Sequence, residues 1–312
     1  MSQQQEILRR YRESLSWLNS VSMTVAIVVN YPGKGPFGST FVFRQDDDRI
    51  EWIGSLFKFD SKDDKKPNTE SVFIYAATKN RYYVSVGPLK MPRAGAIIIS
   101  ATPEKYKNSK YEQAEFGGPL WARTYGTNHK NIADLLGESD DLHLRQGQEV
   151  VNGISCYVLE GTTKYGKVKA WVAPDKGYAA LKWTVKKTGD DLVNDTPISE
   201  LTLWRAQFEC TELQQIGSNF IPTKATFDFT SKSKDGSSDS MHNVYSISDI
   251  QLNPDFNALG AFKIDLPEGT KVTVPESPGI RHIWKNGKVV PDVNGSTFDE
   301  IDKTIDGLKQ QQ

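Results

Sequence analysis

Several things are scarce in this sequence, and each scarcity removes a class of protein. Two cysteines in 312 residues, Cys156 and Cys210, are too few for a disulfide-stapled scaffold and do not decide a redox compartment. Positive charge is not in excess: 38 Lys and Arg stand against 39 Asp and Glu, for a net charge of −1. A nucleic-acid binder needs a basic footprint to release counterions from phosphate, so nucleic acid is not expected as a partner. No apolar run approaches the roughly 18 residues of a transmembrane helix. A secretory signal would show a basic start, an apolar stretch of about 7–15 residues and a small-residue cleavage site. Met1 to Leu18 is instead Gln- and Arg-rich and amphipathic. On composition the chain is either cytoplasmic or a mature exported protein.

Catalytic patterns are scarce as well. The histidines, His129, His143, His242 and His282, are nowhere within four residues of one another, so none of the usual zinc spacings occurs. A serine nucleophile elbow is missing, because Gly153-Ile154-Ser155 continues as Cys156-Tyr157. Cys156 stands mid-strand with Ile154 and Val158, the setting of a small buried hydrophobe. The run Gly33 to Thr40 has phosphate-loop glycine spacing, but Ser39 stands where the phosphate-binding Lys belongs and a strand follows instead of a helix. It reads as a hairpin loop. The acidic runs Asp46-Asp47-Asp48 and Asp63-Asp64 lack the glycine of a calcium loop and read as solvated turns. The expectation is a protein with no catalytic residue, no metal and no cofactor, and so not an enzyme.

What is present is patterning. With 38% hydrophobic residues and seven Trp the chain can bury a sizeable core, and 25% charged residues keep it out of the disordered class. Large β sandwiches and barrels reach this length as one domain, and no Pro-, Gly- or Ser-rich linker splits the chain. Ile7, Leu8, Tyr11, Leu15 and Leu18 recur at helical spacing, opposite Arg9, Arg10, Arg12 and Glu13. Alternating strands follow: Met23 to Val29, one through Phe41 and Phe43, Ile50 to Phe59, Val72 to Ala77 and Tyr82 to Val86, with Asp60 to Thr69 as a polar loop. Residues 87 to 141 interrupt the pattern and are expected to be helices and loops. They hold an apolar segment, Ala96 to Ile99, and short helical pieces at Pro103 to Lys107 and Asn131 to Leu136.

The meander resumes at Val150-Val151. Asn152-Gly153 is a two-residue type I′ hairpin signal leading to Ile154 to Leu159. Val168 to Ala173 and Tyr178 to Lys187 are joined through Pro174-Asp175-Lys176-Gly177. Glu200 to Cys210, Phe220 to Thr230 and His242 to Leu252 come next, and Asn286-Gly287 marks one more hairpin. Thr297 and Glu300 have capping-box spacing for a last helix. If sequential strands are neighbours, Cys156 and Cys210 stand three strand spacings of about 4.8 Å apart, too far for a disulfide.

The aromatic residues Phe41, Phe43, Trp52, Tyr157, Trp183 and Phe227 sit on strands expected to be half buried. Core packing accounts for them, and so does the lining of an apolar cavity, which curled sheets provide. Leu181, Trp183 and Val185 alternate with Lys182, Thr184 and Lys186. Ile221, Ala225, Phe227 and Phe229 oppose Lys224, Thr226 and Asp228. The candidate ligand-binding set is therefore Phe41, Phe43, Trp52, Leu181, Trp183, Phe227 and Phe229.

This order of elements resembles the bacterial lipoprotein-carrier superfamily, the LolA/LolB-like fold. The early strands of that family carry a glycine, alternating apolar residues, an Arg, a turn and an aromatic. Gly38-Ser39-Thr40-Phe41-Val42-Phe43-Arg44 followed by Arg49-Ile50-Glu51-Trp52 is similar. So is Trp171-Val172-Ala173-Pro174-Asp175-Lys176-Gly177-Tyr178 with Leu181-Lys182-Trp183 to the middle hairpin of the family, with Ala173 in place of its usual Asp. The resemblance covers most of residues 5 to 252. It implies a mostly β (α+β) fold, a strongly curved antiparallel sheet forming an unclosed barrel, with an N-terminal helix and inserted lid-like helices over an apolar cavity. It further implies a single domain over 1–312, with 253–312 a C-terminal extension packed on it, located in the periplasm or cell envelope. The implied partner is a lipid, an acyl chain or a lipoprotein, with a membrane-associated protein partner as a further expectation, and the chain is expected to be a monomer. Related folds in the bacterial envelope act as stress sensors, which makes a protein-interaction module with a solid aromatic core the alternative.

Overall fold

The computed structural model describes residues 1–33, 36–46, 49–60, 63–78, 81–88, 97–100, 130–193, 196–262, 268–274, 277 and 279–292; between 55 and 100, and at 37, 50, 52 and 196, it describes the backbone alone. Helix α1 (Gln3–Ser14) and a 3-10 turn (Ser16–Asn19) precede strands β1 (Ser20–Asn30), β2 (Phe37–Asp46), β3 (Arg49–Asp60), β4 (Asp63–Thr78), β5 (Arg81–Pro88) and β6 (Ile97–Ser100). Helix α2 (Ile132–Gly137) is followed by β7 (His143–Leu144), β8 (Glu149–Val151), β9 (Ile154–Thr163), β10 (Gly166–Ala173) and β11 (Ala179–Lys187). The short β12 (Leu192–Val193) and β13 (Thr196–Pro197) lead to β14 (Leu201–Ile216), β15 (Asn219–Ser233) and β16 (Ser238–Leu252), and β17 (Lys271–Thr273), β18 (His282–Lys285) and β19 (Lys288–Pro291) close the series. The chain is mostly antiparallel β with few helices among the described residues. It divides into two compact units, one of Met1–Asn19, Val25–Gly38 and Asn108–Ile250, the other of Ser20–Thr24, Ser39–Lys107 and Gln251–Gln312.

In the first unit, β9, β10, β11, β14, β15 and β16 pair antiparallel in that order, with β7 and β8 on the far side of β9. The turns are set by local chemistry. Asn152 and Gly153 both take positive φ (49° and 77°), the type I′ geometry that the Asn-Gly pair favours. Gly177, at φ 59°, ends the Pro174–Lys176 turn in the left-handed region. A register shift at Trp171/Val172 bends the ladder between β10 and β11. The sheet curls enough that Asn152 Nδ2, in the β8–β9 turn, donates to the Cys210 carbonyl of β14 at 2.7 Å, although β10 and β11 lie between those strands.

Helices α1 and α2 pack on each other and on β9, and α1 also reaches β11. Ile7, Leu8 and Tyr11 are buried as the stripe requires, and Trp17 and Leu18 bury on the following turn. At the opposite face of α1, Glu6 accepts from both Arg9 and Arg10, which holds its carboxyl down at about 2. Helix α2 starts where Asn131 Oδ1 accepts the Asp134 N–H at 2.8 Å.

In the second unit, β3 pairs with β4, β4 with β5 and β5 with β6, all antiparallel. β6 runs parallel to β17, which continues into β18 and β19. Two expectations are corrected here. Residues 63–69, taken as part of a polar loop, belong to β4. Backbone ladders form irrespective of side-chain polarity, and Pro67 enters opposite Phe59 where the register shifts, a position that spares the missing N–H. The apolar segment read as part of a helical insert contains β6. The expected pieces at Pro103–Lys107 and from Thr297 lie outside the described residues. The Asn286-Gly287 hairpin is present, with φ of 51° and 71°.

Candidate ligand-binding face

One residue from each of β9, β10, β11, β14, β15 and β16 falls on a single line across the apolar face of the first unit. The register pairs Leu159 with Ala170, Ala170 with Trp183, Trp183 with Phe208, Phe208 with Phe227, and Phe227 with Asn243. Trp183 stacks on Phe208 with centroids 5.8 Å apart, and Phe227 tilts against Trp183 at 6.0 Å. Trp183 and Phe208 expose nothing and Phe227 2%. The opposite face of the same strands carries Lys182, Glu209, Thr226 and His242, with Lys182 and Glu209 paired at 2.8 Å. Period-two alternation thus separates an apolar face from a charged one.

The seven residues expected at the site are distributed over both units, Leu181, Trp183, Phe227 and Phe229 in the first and Phe41, Phe43 and Trp52 in the second. Trp183 and Phe227 meet in the line just described. Phe229 lies one pair further along β15, opposite Ala206, edge-on to Trp204 at 5.4 Å. Leu181 sits at the irregularity between β10 and β11 and packs with Val151, Cys156, Val158, Trp171 and Ala173 in a cluster at the strand ends. Phe41 and Phe43 are buried in the second unit, on β2. A Cβ on Gly54 of β3 would overlap the Phe41 Cβ, so these strands approach as closely as a glycine allows. Trp52 lies on β3, and its side chain is outside the described residues.

Three residues of that face were missed in the sequence. Phe208 and Trp204 follow the same alternation on β14, opposite Arg205, Gln207 and Glu209, so their signal was available. Lys187 breaks the pattern: it is the next alternate residue after Trp183 and Val185 and therefore turns inward, fully buried. Its Nζ donates to the Leu192 carbonyl at 2.7 Å and lies 4.6 Å from the centre of the Trp204 ring, its cross-strand partner. Burial lowers its amine to about 7, against a smaller opposing pull from Asp191.

Among the described residues of the first unit, Tyr11 Oη, Trp183 Nε1 and Asn243 Oδ1 are buried without a hydrogen-bond partner. One amide atom of Asn243 pairs with Tyr245 Oη at 3.0 Å, leaving the other unmet. A cavity of about 600 Å³ opens elsewhere in this unit, beyond α2, lined by Glu138, Asp140, Asp141, Thr162, Thr163 and Lys164. All six of these residues carry polar or charged side chains. Asp141 accepts from Ser139 Oγ and the Thr162 N–H, which lowers its carboxyl to about 2. Both cysteines are buried and free, on β9 and β14 with two strands between, and burial raises Cys156 to about 11 and Cys210 to about 12. Among the described residues no group of three or more His, Cys, Asp or Glu is placed to hold a metal ion, and no helix is long and apolar enough to cross a membrane.

No family model matches the chain, and no curated protein matches it. Among solved structures it is similar to a LolA superfamily protein from Nitrosomonas europaea, over 83% of this chain and 97% of that one, at 15% identity and a TM-score of 0.40. A structure described as lipid–protein interactions in lipovitellin is similar over 75% of this chain and 25% of that one, at 11% identity and a TM-score of 0.24.

Proposed function

We propose that this chain is a non-catalytic cell-envelope protein that binds an acyl chain, a lipid or a lipidated protein on the apolar face of its antiparallel sheet. The observation that carries the reading is the line Leu159, Ala170, Trp183, Phe208 and Phe227, five strands deep without a charged or hydroxyl side chain. Each CH₂ that an acyl chain buries contributes about 0.8 kcal/mol, so such a face binds a chain without any charged site. The motifs in β2–β3 and β10–β11 that resemble the lipoprotein carriers support the same reading. The complete burial of Trp183 and Phe208 favours a second one, an envelope sensor or interaction module whose aromatics are solid core.

Mass spectrometry of the gently desorbed protein separates the two: a copurifying lipid is expected. Added fatty acid or lipopeptide should also shift tryptophan emission saturably in the wild type and less in Trp183→Phe. A bare protein whose emission stays flat with every acyl ligand would leave the interaction module as the function.

A further inference from the structure

Trp183 Nε1 is a buried donor with no acceptor among the described residues. An indole nitrogen carries one N–H and accepts nothing, and its direction is fixed by the ring, whereas a hydroxyl such as Tyr11 Oη can rotate toward whatever is near. The cross-strand neighbours of Trp183, Ala170 and Phe208, bring no acceptor side chain, and neither does Phe227 beyond them. Asn243, at the other end of the line, keeps 6% of its surface and one amide hydrogen bond, whereas Trp183 is fully buried and its single donor has no such bond. A donor buried without a partner opposes folding, and buried tryptophans ordinarily find one. A phenylalanine here would extend the ring stack over Phe208 and Phe227 without that penalty.

Resting on the lipid-binding reading, we propose that Trp183 is the polar contact of the ligand: its Nε1 donates to the carbonyl oxygen of an ester- or amide-linked acyl chain whose methylenes lie along Phe208 and Phe227. The line is closed in this structure, so the chain enters by taking the place of groups now packed on it. The indole then gains the acceptor that protein packing denies it. Only a chain carrying a carbonyl supplies that acceptor; an ether-linked chain of equal length offers the same hydrocarbon and a much weaker one.

The test compares two lysophospholipids with the same headgroup and chain, one ester-linked and one ether-linked, by tryptophan emission and calorimetry on the full chain. The ester should bind the wild type about tenfold more tightly, the effect of one hydrogen bond in an apolar site. That preference should vanish in Trp183→Phe, with ester and ether binding equally. Equal affinity of the wild type for both would overturn the inference and leave the lipid-binding reading standing, whereas binding of neither would overturn both. Should Trp183→Phe fail to fold, the carbonyl stretch of carbon-13-labelled ester bound to the wild type decides alone. A shift to lower frequency relative to the ester in dry hydrocarbon is expected, and an unshifted band would refute the contact.

Discussion

The carboxylate of Glu51 on β3 accepts the backbone N–H of Phe262 at 2.8 Å, joining positions 211 residues apart in the sequence. Glu51 is 1% exposed, and its other oxygen takes Arg44 Nη1 of β2 at 2.6 Å, so one buried side chain ties β2, β3 and the segment after β16 together. Arg49 lies over the Phe262 ring at 4.5 Å on the same side.

Removing that carboxylate leaves a guanidinium with little access to water and a backbone N–H without its acceptor. Glu51→Ala should cost about 3–5 kcal/mol, the range for breaking one partner of a buried pair. Urea unfolding measures it. Amide exchange at Phe262 should accelerate in parallel, and an unchanged midpoint would mean the tie bears no stability.

Lys187 makes stability depend on pH. Its amine sits at about 7 in the fold against an ordinary 10.5, so between those values the unfolded chain binds the extra proton. Stability should therefore rise with pH across that window, by at most about 1.4 kcal/mol per unit, and level off below it. Lys187→Met, which keeps the packing on Trp204, should flatten the slope between pH values of about 7.5 and 9.5 in thermal melts. A wild-type slope that survives the substitution would assign it to another group.

Phe227 is closed in by Trp183 and Phe208. With no ligand bound, Phe227→Ala should lose about 3–5 kcal/mol, the usual cost of a large cavity in a packed core. The enlarged space should also alter affinity for acyl ligands. A loss below about 1 kcal/mol would indicate that the side chain already borders empty space.

Both thiols are buried and disfavour the thiolate, so neither Cys156 nor Cys210 should react with a thiol reagent in the native protein. Denaturation without reductant should expose both. Titration of fewer than two would contradict the strand order β9-β10-β11-β14.

Alternation and turn chemistry are local properties, and the sequence determined by itself whatever depends on them alone. Val168 to Ala173, Tyr178 to Lys187 and Phe220 to Thr230 read as strands because apolar residues recur every second position, and Asn152-Gly153 and Asn286-Gly287 read as hairpins because both residues tolerate positive φ. The face carrying Trp183 and Phe227 was legible for the same reason, and Phe208 could have been added to it. Tertiary structure decided what no local pattern encodes. Leu181 shares the alternation of Trp183, yet a one-residue irregularity opposite Trp171 places it in a different cluster, and nothing in the strand announces that slip. Residues 63–69 look like a loop by polarity, but a backbone ladder needs only a partner strand, and β3 provides one. Lys187 is hydrophilic by composition and buried by register, because position along β11 sets which way a side chain points before its chemistry sets what that costs. Glu51 and Phe262 meet only once the chain has folded, since a contact across 211 residues has no period to be read.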